Sequence, residues 1–157
     1  MKNELKQELT RRLCACNNGG LVLVMYDIYF GFSEDVKAAL ASNDRAALKK
    51  AVADVQAALD ELIGALDFKY PLAGQLYPLY SYCKRLFSTV LYSLDVLVVD
   101  EADVIMKKLR NSFETAAADD KSAPLMDNAQ KVYAGMTYGK GRLTESFIND
   151  DNRGFLA

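Results

Sequence analysis

The chain reads as an all-α protein: an antiparallel four-helix bundle with a short N-terminal helix and an appended C-terminal segment. Three observations carry that reading. Apolar residues recur three and four apart over most of the chain, and strand-like alternation is hard to find. Ala and Leu are abundant, while only 3 prolines stand in 157 residues. The stretches between periodic runs are short, which favours antiparallel neighbours. This length suits one domain with a real core, and 51% apolar against 25% charged residues is an ordinary balance for a water-soluble chain. Residues 1–117 are expected to form the bundle domain, with its core from 20 to 117. Residues 118–157 read as a linker and a partly mobile C-terminal segment.

Taken in order, residues 3–15 form a short helix with Leu5, Leu9 and Leu13 on one stripe. Asn17-Asn18-Gly19-Gly20 breaks it and offers N-caps. The next helix spans about 21–42, with Leu21, Met25, Ile28, Phe32 and Val36 as its expected inner face and Leu23, Tyr26 and Phe30 as a second, offset strip. Asn43-Asp44 makes a turn and starts the cleanest helix, where Leu48, Val52, Val55, Leu59, Leu62 and Leu66 leave the opposite face polar. Tyr70-Pro71 closes the following connection, Pro71 being suited to a first turn.

The fourth long segment, 72–93, carries two stripes. Leu72, Leu76, Leu79, Cys83, Leu86 and Val90 are its expected seam, and Tyr77, Tyr80, Phe87 and Leu91 lie off it. At about 100° per residue the two stripes are roughly 60° to 140° apart, so the second is surplus to a single buried face. Pro78 sits inside this segment, four residues after Gly74, and predicts a kink there or a helix that begins there. Asp95 is placed to cap the last long helix, 96–117, with Val98, Ala102, Ile105 and Leu109 inside and Phe113 at its end. Beyond 118 come a linker, a short amphipathic piece over 126–136, and an end rich in Gly, Asn and charge.

Chemistry is thinly represented. The chain has no histidine, which removes the usual general acid–base, the Ser-His and Cys-His nucleophile pairs, and the Glu-x-x-His ligand sets of di-iron bundles. Asp100, Glu101 and Asp103 are the best acidic cluster, but they fall in early helical turns, where negative charge suits the helix dipole. Cys14 and Cys16 lack further ligands for a metal, and Cys83 falls on a seam as a small core residue. No catalytic residue, metal site or cofactor is expected, and the chain is read as no enzyme. A net charge of −2 speaks against a nucleic-acid partner. The longest apolar run, 21–32, is broken by Asp27 and is short of the ~20 residues of a membrane span. A charged N-terminus without a secretory signal and an odd count of 3 cysteines point to the cytoplasm. What remains is binding, because two helices carry more apolar surface than one buried face needs.

The second of those helices holds a set of residues with a known pattern. Leu72-Ala73, Leu76, Leu79-Tyr80, Tyr82 and Arg85 resemble the signature of the FliS family, the flagellar secretion chaperones of flagellin. Val24-Met25-Tyr26-Asp27, with Phe32 beyond, resembles a second segment of that family. The Leu62 to Leu66 helix end with Asp67, and Leu109-Arg110 with Phe113, resemble two more, in the same order. The likeness spans about 20–114. Gln75 and Ile28 depart from the pattern, standing where the family carries Asn and Gly.

The resemblance implies a bacterial helical bundle that holds the C-terminal segment of flagellin in the cytoplasm. That prevents premature polymerisation, aids secretion and presents the client to the flagellar export apparatus. Carried over by position, Tyr26, Asp27, Leu76, Tyr80, Tyr82 and Arg85 are the matching site residues; the stripe argument adds Leu23, Phe30, Tyr77 and Phe87. Asp27 and Arg85 fit structural pairing within the bundle as well as partner contact. An adaptor or homodimerisation module with another client stays open as the alternative. The apolar stripes of the N-terminal helix (Leu5, Leu9 and Leu13) and of the segment Met126–Tyr138 make either one a candidate cover for the client groove.

Overall fold

The computed structural model describes residues 3–118 and 120–125. Within them the chain forms five helices: α1 (Asn3–Ala15), α2 (Asn18–Ala41), α3 (Arg45–Gly64), α4 (Pro71–Ser93) and α5 (Val96–Ala118). Helix α2 packs on α3 and α5, and α4 packs on the same two, so the long helices close a four-membered ring. Connections of only a few residues, 42–44, 65–70 and 94–95, turn the chain back each time. Helix α1 lies against α2. This is the all-α bundle that the sequence predicts.

Local chemistry sets the ends. Asn17 caps α2 by accepting from the Gly20 N–H at 2.9 Å, and Asp44 caps α3 by accepting from Ala46 and Ala47. Asp95 accepts from the Leu97 N–H at 2.9 Å, as expected for the start of α5. After α5 the chain crosses the start of α2. There the Asp120 carboxylate accepts from the Gly19 N–H at 3.1 Å, and the Leu125 N–H donates to the Cys16 carbonyl at 2.9 Å. A Cβ on Gly19 would lie 3.0 Å from that of Ala117, so a side chain there would push α2 and α5 apart. The stretch 126–136 lies outside the described residues.

The expected α3 seam holds: Leu48, Val52, Val55, Leu59 and Leu62 are buried, and Leu66 packs half-buried against them. Helix α4 needs a correction. Its buried residues are Ala73, Leu76, Tyr80, Cys83, Phe87 and Val90, a stepping of three and four shifted from the expected one. Leu72 and Leu79 are exposed, so the aromatic residues and not those leucines enter the core. The helix is unbroken from Pro71 to Ser93, so it does not begin at Pro78. Both Gly74 and Pro78 are exposed, and the Gly74 carbonyl that loses its helical partner belongs to a residue water can reach.

Helix α2 also differs from expectation. Val24, Tyr26, Tyr29, Gly31, Ser33, Val36 and Ala39 are buried, whereas Leu21, Met25, Ile28 and Phe32 are half-buried. A helix touched by three others buries residues all round. In α5 the innermost residues are Val99, Ala102 and Met106, with Val98, Ile105, Leu109 and Phe113 packed around them. In α1 only Leu9 and Cys14 are buried, leaving Leu5 and Leu13 of its stripe exposed.

One backbone feature carries a prediction. Leu94 ends α4 with φ of 55°, in the left-handed region where a Cβ costs about 1 kcal/mol. Its side chain is exposed and contributes little to the core. Leu94→Gly is therefore expected to raise stability by about 0.5–1 kcal/mol in a urea titration, since glycine takes this conformation freely.

Candidate partner-binding surface

The bundle is not closed at the end where α2 and α4 begin and α3 and α5 finish. A cavity of about 270 Å³ opens there, walled by Val22 and Met25 of α2, Leu62 of α3, Ala73, Leu76 and Tyr80 of α4, and Phe113 of α5. Leu66, Asp67, Tyr70 and Leu72 shape the mouth, where the chain turns from α3 to α4. Large apolar side chains of this connection and of early α4 face solvent: Phe68 is 64% exposed, Tyr70 67%, Leu72 52% and Tyr77 47%, Tyr70 and Leu72 being at the cavity. Phe68 and Tyr77 meet edge to face with centroids 6.0 Å apart. Clustered apolar exposure of this kind marks an interaction site rather than scattered surface residues.

From the cavity a groove runs between α2 and α3. Leu21, Met25 and Ile28 form one wall, and Ala58, Glu61, Gly64 and Ala65 the other, enclosing about 560 Å³. Met25 and Ala65 belong to both spaces, so cavity and groove are continuous. The small residues keep the α3 wall low. The heptad stripe Leu21, Met25 and Ile28, expected inside, is thus the groove's apolar wall. Helix α1 contributes no residue to cavity or groove, so it does not act as their cover.

The ten residues selected from sequence do not form one surface. Leu76 and Tyr80 line the cavity and are buried, whereas Tyr77 is exposed and packs on Phe68. Tyr26 and Phe87 are wholly buried; Phe87 stands edge-on to Tyr29 at 5.9 Å. The Tyr26 and Tyr80 hydroxyls meet at 2.6 Å. Burial pushes both phenols above their ordinary value, and it does the same for Tyr29, aided by the Asp103 charge. Asp27 accepts from Arg12 of α1 and Arg110 of α5, each at 2.7 Å, and so ties three helices together. Arg85 is exposed, its guanidinium 5.5 Å from the centre of the Tyr82 ring, and the Tyr82 hydroxyl donates to Glu101. Leu23 and Phe30 are half-buried, Phe30 against Tyr29 and beside Leu5 and Leu9 of α1.

The polar groups inside serve the fold. Asp103 accepts from the Ser33 hydroxyl at 2.7 Å, the Tyr29 hydroxyl at 3.0 Å and the Lys37 ammonium at 2.8 Å, and Asp100 takes a second contact with Lys37 at 2.9 Å. These carboxylates keep Lys37 protonated well above its ordinary range. Among the described residues no cluster of three or more His, Cys, Asp or Glu side chains is placed to hold a metal ion. No helix there is long and apolar enough to cross a membrane.

A protein-family model, that of flagellar protein FliS, matches residues 1–120. The chain belongs to the FliS family. The match takes in all five helices and ends where residues 120–125 cross the start of α2. FliS is a family of flagellar export chaperones rather than of enzymes. No curated protein matches the chain.

Sequence reasoning missed Val22, Leu62, Ala65, Leu66, Phe68 and Tyr70. A signal was there, since Phe68, Tyr70 and Leu72 crowd into a six-residue connection and its exit, where polar residues are the rule.

Proposed function

We propose that this FliS-family chain holds the C-terminal segment of flagellin in the cytoplasm, keeps it from polymerising early and presents it to the flagellar export apparatus. The observation that supports this reading is the open apolar cavity bordered by the exposed Tyr70 and Leu72 and continued by the α2–α3 groove. Such a surface suits an amphipathic helix laid along the groove with anchoring side chains in the cavity. Leu76, Tyr77 and Tyr80 are the proposed contacts among the sequence-selected residues, joined by Met25, Tyr70 and Leu72. Tyr26, Asp27 and Phe87 hold the helices that frame the site.

Calorimetric titration with a flagellin C-terminal fragment from the same cell tests the reading. Tyr77→Asp is expected to weaken binding at least tenfold with little change in melting temperature, because Tyr77 is 47% exposed and adds little to the core. Absence of binding by the unaltered protein would sink the proposal. The same apolar surface would also serve self-association. Light scattering separates the two, since a tight dimer covering Tyr77 and Leu72 leaves no free client site.

A further inference from the structure

The only charged side chains that line the cavity and the groove, among the described residues, carry one sign. Glu61 stands on the α3 wall of the groove and Asp67 at the cavity mouth. Asp67 has a task in the fold, since its carboxylate accepts from the Lys69 N–H at 3.0 Å and shapes the turn after α3. Glu61 has no such task. It is exposed, and among the described residues its carboxylate meets no cation and accepts no hydrogen bond. Its neighbour Asp60, by contrast, is held by the Lys84 ammonium at 2.6 Å. The place of Glu61 in the helix sharpens the contrast. It falls in the last turn of α3, which carries no basic residue, so its charge sits at the negative end of the helix dipole, where a carboxylate lowers stability. Beside it, a Cβ on Gly64 would meet no atom within 4 Å, so packing does not call for glycine there. With Ala58 and Ala65, Gly64 leaves an open shelf next to the carboxylate.

Resting on the flagellin reading, we infer that Glu61 determines which client segments the groove accepts. It takes a Lys or Arg on the flank of the segment that lies along α3, and with Asp67 it turns away a segment that is acidic on that flank. The aliphatic stem of the basic residue lies over the shelf of Ala58, Gly64 and Ala65, and its charged head meets the carboxylate at the solvent edge of the groove. The opposite wall, Leu21, Met25 and Ile28, offers no charge, so the groove is polar on one side and fixes which flank of the client faces α3. An acidic client residue there would meet Glu61, Asp67 and the carbonyl end of α3 together.

The test is calorimetric titration of the full chain with the flagellin C-terminal fragment and with versions of it in which each Lys and Arg is changed to Glu in turn. Glu61→Gln is expected to weaken binding about two- to fivefold, the usual worth of an exposed ion pair, and Glu61→Lys about tenfold, both losses shrinking at high salt. Neither variant should lower the melting temperature, because an unfavourable charge leaves the end of α3. One charge-reversed fragment should regain affinity for Glu61→Lys while losing it for the unaltered chain. Glu34→Gln removes an exposed carboxylate beside α1, away from the groove, and should leave affinity within about twofold of the parent. Unchanged affinity in Glu61→Lys, no rescue by any reversed fragment, or an equal loss in Glu34→Gln overturns this inference and leaves the flagellin reading standing. A lower melting temperature in both Glu61 variants also overturns it, since that marks a structural role. Absence of binding by the unaltered chain removes both.

Discussion

Phe87→Ala is expected to destabilise the fold by about 3–5 kcal/mol, the usual cost of emptying a fully enclosed phenylalanine site. Phe87 is 0% exposed and packs edge-on against Tyr29, so the loss combines apolar transfer, a cavity between α2 and α4, and an aromatic contact. Domains of this size are stable by about 5–15 kcal/mol, and a loss of that size consumes much of the margin. Urea unfolding should show a lower midpoint with an unchanged slope. Lost client binding in this variant would then report a damaged bundle rather than a missing contact. Tyr77→Asp is the necessary counterpart, with binding lost and the fold kept. If Phe87→Ala unfolded at the same urea concentration as the parent, the core placement of this ring would be wrong.

Phe87 also shows where sequence reading succeeds and where it stops. The α3 seam was legible because one face of that helix is apolar and the other carries Lys49, Gln56 and Asp60, so periodicity had a single solution. Helix α4 offered two stripes of similar bulk, and spacing alone does not choose between them. Pro78 was the signal that does. A proline ring inside a helix is best tolerated on the solvent side, where water reaches the freed carbonyl. At about 100° per residue, positions 73, 76, 80, 83 and 87 fall within about 40° of the side opposite residue 78, 79 and 86 fall to one side, and 72 and 90 lie between. The opposite positions are all buried. In α2 no such choice exists, because three neighbours bury residues on all sides.

The candidate site was less legible than the fold for a different reason. Periodicity describes one helix at a time, and the cavity is made by the ends of four. Nothing in the spacing of 21–28 or 58–65 says that the two segments flank an open groove. The sign available was compositional, in the apolar turn around Phe68 and Tyr70. Asp27 was selected as a site residue or a structural pair. The structure places it on Arg12 and Arg110, one before it on α1 and the other far along on α5. Only the packing of three helices brings those charges together.

The buried phenols dictate a steep loss of stability in alkali. Tyr26, Tyr29 and Tyr80 have folded-state pKa values raised above the unfolded value, chiefly by burial. The folded protein therefore keeps protons that the unfolded chain releases above about pH 10. Stability from this source is fully present below pH 10 and falls as the pH rises beyond it. With three groups the slope reaches about 4 kcal/mol per pH unit once all three would be ionised in the unfolded chain. Cys83 works in the same direction from a lower start, its thiol pushed up to about 12 by burial and then by the Asp103 charge. Tyrosinate absorbance from these three phenols should accordingly rise only as the protein unfolds. Tyr26, Tyr29 and Tyr80 should ionise together as the helical signal collapses. Tyr29→Phe should lessen the slope by one proton, about 1.4 kcal/mol per pH unit, while leaving Asp103 its contacts with Ser33 and Lys37. A single smooth titration of all the tyrosines ahead of unfolding would show that these hydroxyls are open to solvent.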